Sequence, residues 1–224
     1  APTINAAAAR VLDRLGISLI RAPQAGCCGA VDQHMGAPEA ARQRMRANID
    51  AWWPHVEAGA EAVVMTASGC GAVVRDYGRL LADDPAYADK AARISALTRD
   101  LGEVLAGEDL TPLQPADPGP VAFQSPCSLQ HGQGLGGVVE GVLDRLGFER
   151  VAVPEGHLCC GSAGTYALLQ PRLAGALRQR KLAHLTRNDP AVIATANIGC
   201  LHHLAVAAEP PVCHWVELLD TTPG

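Results

Sequence analysis

The sequence has few aromatic residues. Three tryptophans, three tyrosines and two phenylalanines make up 4% of 224 residues, so any core must be built from alanine, valine, leucine and isoleucine. Charge is thin as well, at 18% with a net value of −5 and no run of one sign. That excludes the basic stripe a nucleic-acid binder needs, and no DNA or RNA partner is expected. No apolar stretch approaches the roughly 20 residues of a membrane span, and no charged, apolar leader opens the chain. A cytoplasmic protein without a transmembrane segment is expected, peripheral at the inner face of a membrane only through partners. No Gly-x-Gly-x-x-Gly links a strand pattern to a helix pattern, which places any flavin on another chain. The tight Cys-x-x-Cys knuckles of structural zinc are also missing.

Cysteine, by contrast, is present eight times. A chain of this length buries enough surface to fold without staples. In a reducing compartment, eight thiols point to metal ligation or redox chemistry before a disulfide framework. Half of them stand in two adjacent pairs, Cys27-Cys28 in "AGCCGAV" and Cys159-Cys160 in "HLCCGSA", each followed by glycine.

The pairs belong to an internal repeat. "VLDRLG" begins at 11 and again at 142, Cys27-Cys28-Gly29 returns as Cys159-Cys160-Gly161, and "EAVVMTASGC" ending at Cys70 returns as "AVIATANIGC" ending at Cys200. All three keep an offset within a residue of 131. Pro38 and Pro171 correspond too, each opening a helical pattern where proline suits the first turn. The first copy is expected over 1–110, a Pro-rich linker over 111–118 and the second copy over 119–224. Cys127 in "FQSPCSLQHGQG" has no first-copy partner, because that position would fall before residue 1. The chain is therefore expected to begin inside its first repeat.

The second copy predicts a strand at 119–124, a helix near 136–146, a strand near 148–153, a helix near 171–187 and a strand at 191–196. A helical hairpin is expected after residue 72, ahead of the linker. Alternating strands and helices imply an α/β fold of two homologous repeats, each a small parallel sheet flanked by helices. The cysteines then gather at the strand-end loops, where ligands collect in such sheets.

Adjacent Cα atoms lie 3.8 Å apart, whereas disulfides prefer roughly 4.4–6.8 Å. A vicinal disulfide is possible but strained. Two neighbouring thiolates can instead face one metal cluster, and the following glycine allows close backbone approach or positive φ. Cys127, Cys159, Cys160 and Cys200 come from three separate loops, which suits an iron–sulfur site better than a zinc knuckle. Zinc ligation and inert buried thiols remain alternatives. Cys27, Cys28 and Cys70 form the matching first-copy set.

These motifs resemble the cysteine-rich CCG domain family, found in heterodisulfide reductase subunits, lactate-utilisation proteins and the iron–sulfur subunits of glycolate oxidases. "INAAAARVLDRLGI", "GCCGAV", "ASGCG", "CSLQHGQG", "CCGSAGTYALLQP", "ANIGC" and "HWVELLD" resemble the last group nearly end to end. The resemblance implies an electron-transfer subunit of a glycolate dehydrogenase complex, with an iron–sulfur cluster of 4Fe–4S type. It implies flavin on partner flavoprotein subunits, a quinone or other electron acceptor, and a ferredoxin-like region preceding this segment. The family's closing Cys-x-x-Cys is here Cys200-Leu201-His202-His203, and in the first copy Cys70-Gly71-Ala72-Val73. A four-ligand second site follows, and no catalytic residue is assigned. A catalytic cluster like that of the heterodisulfide or lactate relatives, or a zinc-binding or metal-free scaffold, are the competing functions.

Several other residues have both a site reading and a plain structural one. His203 stands at the missing-ligand position. His34 and His131 follow cysteines closely, and Ser68, Asn197 and Tyr166 lie where they would orient the loops. Trp52-Trp53 is expected on a half-buried helix face, and the leucines of 168–185 in the core. Trp215 and the tail "HWVELL" are expected at a subunit or repeat interface, with Cys213 a bystander.

Overall fold

The apolar run at 191–196 forms the central strand of a parallel sheet. The structure, a computed structural model, describes residues 2–220. In chain order the elements are α1 (Pro2–Arg14), α2 (Ala30–His34), α3 (Pro38–Glu57), β1 (Val63–Met65), α4 (Ser68–Arg75), α5 (Tyr77–Leu80), α6 (Ala88–Leu97), β2 (Thr98–Asp100) and α7 (Leu101–Ala106). There follow β3 (Val121–Gln124), α8 (Val138–Arg145), α9 (Tyr166–Leu169), α10 (Pro171–Leu185), β4 (Val192–Thr195), α11 (Ile198–Ala205) and β5 (Val212–His214). No helix among the described residues is long and apolar enough to cross a membrane.

The chain packs as two compact units. The larger takes residues 1–19, 66–68 and 101 onward; the smaller takes 20–65 and 69–100. The units do not follow the duplication: residues 1–19, 66–68 and 101–110, first-copy by sequence, pack with the second copy.

In the larger unit, β3, β4 and β5 form a parallel sheet in that order, with Val121 opposite Val192 and Thr195 opposite His214. Every residue of β3 and β4 is buried, as expected for parallel strands covered on both faces. Pro171 occupies the first turn of α10, where its missing N–H has no intrahelical partner to lose. Leu182 and Leu185 of α10 pack with Ala122, Ile193, Leu204, Cys160 and Cys200. The closing turn Trp215–Leu219 packs on α1, and Arg10 and Arg14 both pair with Asp220. In the smaller unit, β1 and β2 pair in parallel, Val63 opposite Thr98. Ala41, Met45, Asn48 and Ile49 share the buried face of α3, against Cys28, Val74, Tyr77 and Ile94.

Four expectations change. The segment 148–153 is not a strand: it makes one bridge, Val121 to Arg150. The Ala152 carbonyl then accepts from the Asn188 amide, and Pro154 follows without an N–H to donate. Leu168, Leu169 and Leu173 are not core, being 81%, 61% and 54% exposed. Of the two interfaces expected for Trp215 the subunit one falls: it is buried inside the larger unit, where Trp215–Leu219 of the second copy packs on α1 of the first. From the end of α4 onward the chain forms α5 and α6 and then an unexpected strand, β2, in place of a simple hairpin.

Candidate metal centre

Both adjacent cysteine pairs are fixed by the same device. Gly29 has φ +84° and Gly161 φ +96°, a left-handed conformation that side-chain-bearing residues rarely adopt. A Cβ on Gly29 would stand 3.0 Å from the Ala41 carbonyl oxygen, and one on Gly161 would collide with the Ala174 carbonyl oxygen. Ala41 and Ala174 each lie three residues beyond the helix-opening proline. The glycine thus lets the cysteine loop sit directly on the proline-opened helix, α3 or α10. Cys70 and Cys200 match as well: each is the third residue of the helix that follows its strand, α4 or α11. Backbone N–H groups of a first turn favour thiolate over thiol.

In the larger unit Cys127 follows β3 through Ser125-Pro126, and Cys159 and Cys160 lie in the loop before α9. The four thiols associate in pairs. Cys160 Sγ and Cys200 Sγ are 3.0 Å apart. The Cys127 thiol donates to Cys159, and this bond, then Cys160 and the Gly161 N–H, holds Cys159 well below the ordinary thiol range. Cys160 likewise donates to Cys200, which is lowered against the opposing effect of burial. Cys127 is raised first by its bond to Cys159, and Cys160 first by Cys159 and then by Cys200, with burial adding to both. Gly161 N–H reaches Cys159 Sγ at 3.3 Å and Asn197 Nδ2 reaches Cys200 Sγ at 3.6 Å. Donors of this kind orient sulfur ligands and tune a bound metal group.

The loop is braced from below. Gly156 O accepts from Lys181 Nζ at 3.0 Å and from Gln130 Nε2 at 3.2 Å, and Gln130 Nε2 also reaches Ser125 O at 3.0 Å. Glu155, in the left-handed region at φ 48°, is clamped by Arg180 and His184. Backbone strain of this sort gathers at ligand clamps. Lys181 and Gln130 escaped the sequence reading. The repeat was the available signal for Lys181, because it falls on the position of buried Asn48 at the offset that relates Pro171 to Pro38.

In the smaller unit, Cys28 and Cys70 form one pair and Cys27 is exposed. The Cys70 thiol pulls Cys28 down to about 6 against the effect of burial, while Cys70 is raised. Asn48 Nδ2 donates to Cys27 O at 3.0 Å, and its Oδ1 accepts from Gly26 N at 2.7 Å. Tyr77 Oη donates to Cys28 O at 2.9 Å.

His203 Nε2 donates to Ala174 O at 3.3 Å, a bond that leaves that nitrogen without a lone pair for a metal. His131 Nε2 bonds His157 O at 3.4 Å, and His34 is exposed. Ser68 Oγ meets Ser128 Oγ at 2.8 Å. Trp52 and Trp53 are half-buried, Trp52 stacked on Tyr77 and Trp53 under Lys90. Burial raises Cys213, in β5, to about 12.

Among the described residues no three cysteine, histidine or carboxylate side chains are placed to hold a single ion. The donor set of the larger unit fits a multi-iron group: four soft sulfurs from three segments, two of them facing N–H donors, beside a glycine with no side chain.

A family model described as a cysteine-rich domain, CCG, matches residues 1–75 and 121–205. The glycolate oxidase iron–sulfur subunit of Escherichia coli (strain K12) is 56% identical over 219 residues, 98% of this chain and 54% of the relative. The probable glycolate oxidase iron–sulfur subunit of Bacillus subtilis (strain 168) is 30% identical, over 93% of this chain and 47% of its own length. Lactate utilization protein A of Geobacillus thermodenitrificans (strain NG80-2) is 27% identical, over 97% and 92%. The chain thus spans about half the length of the first two relatives.

Proposed function

The chain belongs to the cysteine-rich CCG domain family, and on that footing we propose that it is the electron-relaying, cluster-bearing part of a glycolate-oxidising dehydrogenase. The observation that carries this reading is the grouping of four thiols on a buried parallel sheet, with N–H donors aimed at two of the sulfurs. Cys127, Cys159, Cys160 and Cys200 would hold an iron–sulfur cluster of 4Fe–4S type, and Cys27, Cys28 and Cys70 would contribute to a second. When bound, such a group accepts and returns single electrons.

The chain's own residues do the holding. Gly161 and Asn197 orient the sulfurs of Cys159 and Cys200, Gln130 and Lys181 fix the loop that carries Cys159 and Cys160, and the packing around Cys160 and Cys200 keeps water out. None of these side chains is assigned a proton-transfer or substrate role. Flavin on partner flavoprotein subunits would supply the two-electron chemistry, taking a hydride from glycolate while a proton goes to solvent to leave glyoxylate. The electrons then pass singly through this chain to a quinone or other acceptor, in the cytoplasm or at the membrane face. The duplicated copies are taken as 1–110 and 119–224, joined by 111–118.

A second reading, oxidation of lactate or another 2-hydroxy acid, is favoured by the near-complete mutual coverage with lactate utilization protein A. Spectral bleaching by glycolate against lactate, with the co-purifying flavoprotein present, separates the two.

The test is iron, acid-labile sulfide and zinc content with low-temperature EPR on anaerobically purified protein and on a Cys159→Ala/Cys160→Ala double variant. Iron and sulfide that fall by about one cluster in the variant support the proposal. Iron-free or zinc-loaded protein, unchanged by the substitutions, overturns it.

A further inference from the structure

Lys181 is completely buried in α10. Its ammonium donates to two backbone carbonyls, Gly156 O at 3.0 Å and Glu155 O at 3.4 Å. Among the described residues no carboxylate receives it: Glu155, the carboxylate nearest in sequence to those carbonyls, is taken by Arg180 and His184. A buried ammonium without a counter-charge costs several kcal/mol, so natural chains place one only where a negative charge repays it. The loop that Lys181 braces carries Cys159 and Cys160, and its helix packs on Cys160 and Cys200, so these sulfurs, with Cys127, are the groups whose negative charge as thiolate ligands would offset its burial.

The smaller unit supplies the control within the same chain. Asn48 holds the corresponding place on α3, equally buried, and it too braces the backbone beside the cysteine pair. The two copies thus share the bracing role and differ in one charge. A lysine is not required for the brace, since a neutral amide performs it in the other copy.

We infer that Lys181 is a potential-setting residue: its buried positive charge stabilises the more negative, reduced state at Cys127/Cys159/Cys160/Cys200, giving this site a higher reduction potential than the Asn48-bearing site. The inference rests on the cluster-binding reading above. Four thiolates around an iron–sulfur core leave a net negative charge that grows on reduction, so a nearby fixed cation favours the reduced form.

The experiment compares the full chain, anaerobically purified, with its Lys181→Met, Lys181→Gln and Lys181→Arg variants. Iron, sulfide and the EPR-monitored midpoint potential are read for each, and the Cys159→Ala/Cys160→Ala variant identifies which signal belongs to the second site. Lys181→Gln keeps an N–H donor for Gly156 O while removing the charge, so it separates electrostatics from bracing. The expected result is at least a ten-fold shift of the reduction equilibrium toward the oxidised form in the Met and Gln variants. For a one-electron couple that is about 59 mV more negative. Lys181→Arg should stay within three-fold of the parent. Loss of iron from the Met and Gln variants but not from Arg would equally support the charge. Full iron content with an unshifted potential in Lys181→Gln overturns the inference and leaves the cluster reading standing. Iron-free parent protein overturns both.

Discussion

The two cysteine sites differ less in their sulfurs than in what surrounds them. Each has an adjacent pair, a left-handed glycine pressed on the fourth residue of a proline-opened helix, and a cysteine in the first turn of the helix after a strand. Around this shared frame the smaller unit uses neutral groups, Asn48 and the Tyr77 hydroxyl, to hold Cys27 O and Cys28 O. The larger unit uses an ammonium, a fourth cysteine and a third strand. The two copies share the geometry that places the sulfurs and differ in the charge beside them.

The comparison breaks most sharply at the glycines. Gly161→Ala should cost the larger unit roughly 4 kcal/mol, from left-handed strain plus collision with the Ala174 carbonyl. Gly29→Ala meets its neighbour at 3.0 Å and should cost roughly 2 kcal/mol. Urea unfolding followed by tryptophan fluorescence resolves the two, because Trp52 and Trp53 report the smaller unit and Trp215 the larger. Equal costs would mean that the closer approach at Gly161 does not make its loop the tighter of the two.

Acid separates the units next. His214 is buried with both ring nitrogens engaged: Nε2 donates to Thr66 O at 2.8 Å, and Nδ1 accepts from Val216 N at 3.4 Å. Burial lowers it to about 4. Its folded value lies below its unfolded one, so the unfolded state takes up the proton first as pH falls. Stability from this group is complete above about pH 6.5 and declines toward pH 4, by about 3 kcal/mol in all. The smaller unit has only exposed His34 and half-buried His55. His214→Gln should flatten that part of the Trp215-monitored pH profile, and an unchanged slope would assign the acid sensitivity elsewhere.

The smallest effect falls on the smaller unit. Tyr77→Phe removes the donor to Cys28 O and an acceptor for Asn48, at a cost of about 1–2 kcal/mol. The Trp215 signal should not move.

Much of this architecture could be read from the chain, for identifiable reasons. β3 and β4 are short apolar runs buried on both faces, and Pro38 and Pro171 mark helix starts by their backbone chemistry alone. β2 was hidden because Thr-Arg-Asp has no strand pattern, and only its pairing with Val63–Met65 makes it one. Leu168, Leu169 and Leu173 fit a helical period, but the chain breaks at Gln170 between α9 and α10, so no single buried face includes them. Cys160 and Cys200, which the repeat sets on separate loops, meet at 3.0 Å. Lys181 was not legible because a lysine on a helix reads as surface, and only a comparison of the copies reveals that its position faces inward.

The discontinuity of the larger unit also sets an order of assembly. The smaller unit is complete once Asp100 has been synthesised, whereas α1 waits for Trp215–Asp220, more than 200 residues away in the chain. Contacts of such separation close late and slowly. During translation the Asn48-braced cysteines of the smaller unit can therefore be set in place while Lys181 and the four cysteines of the larger unit are still unassembled.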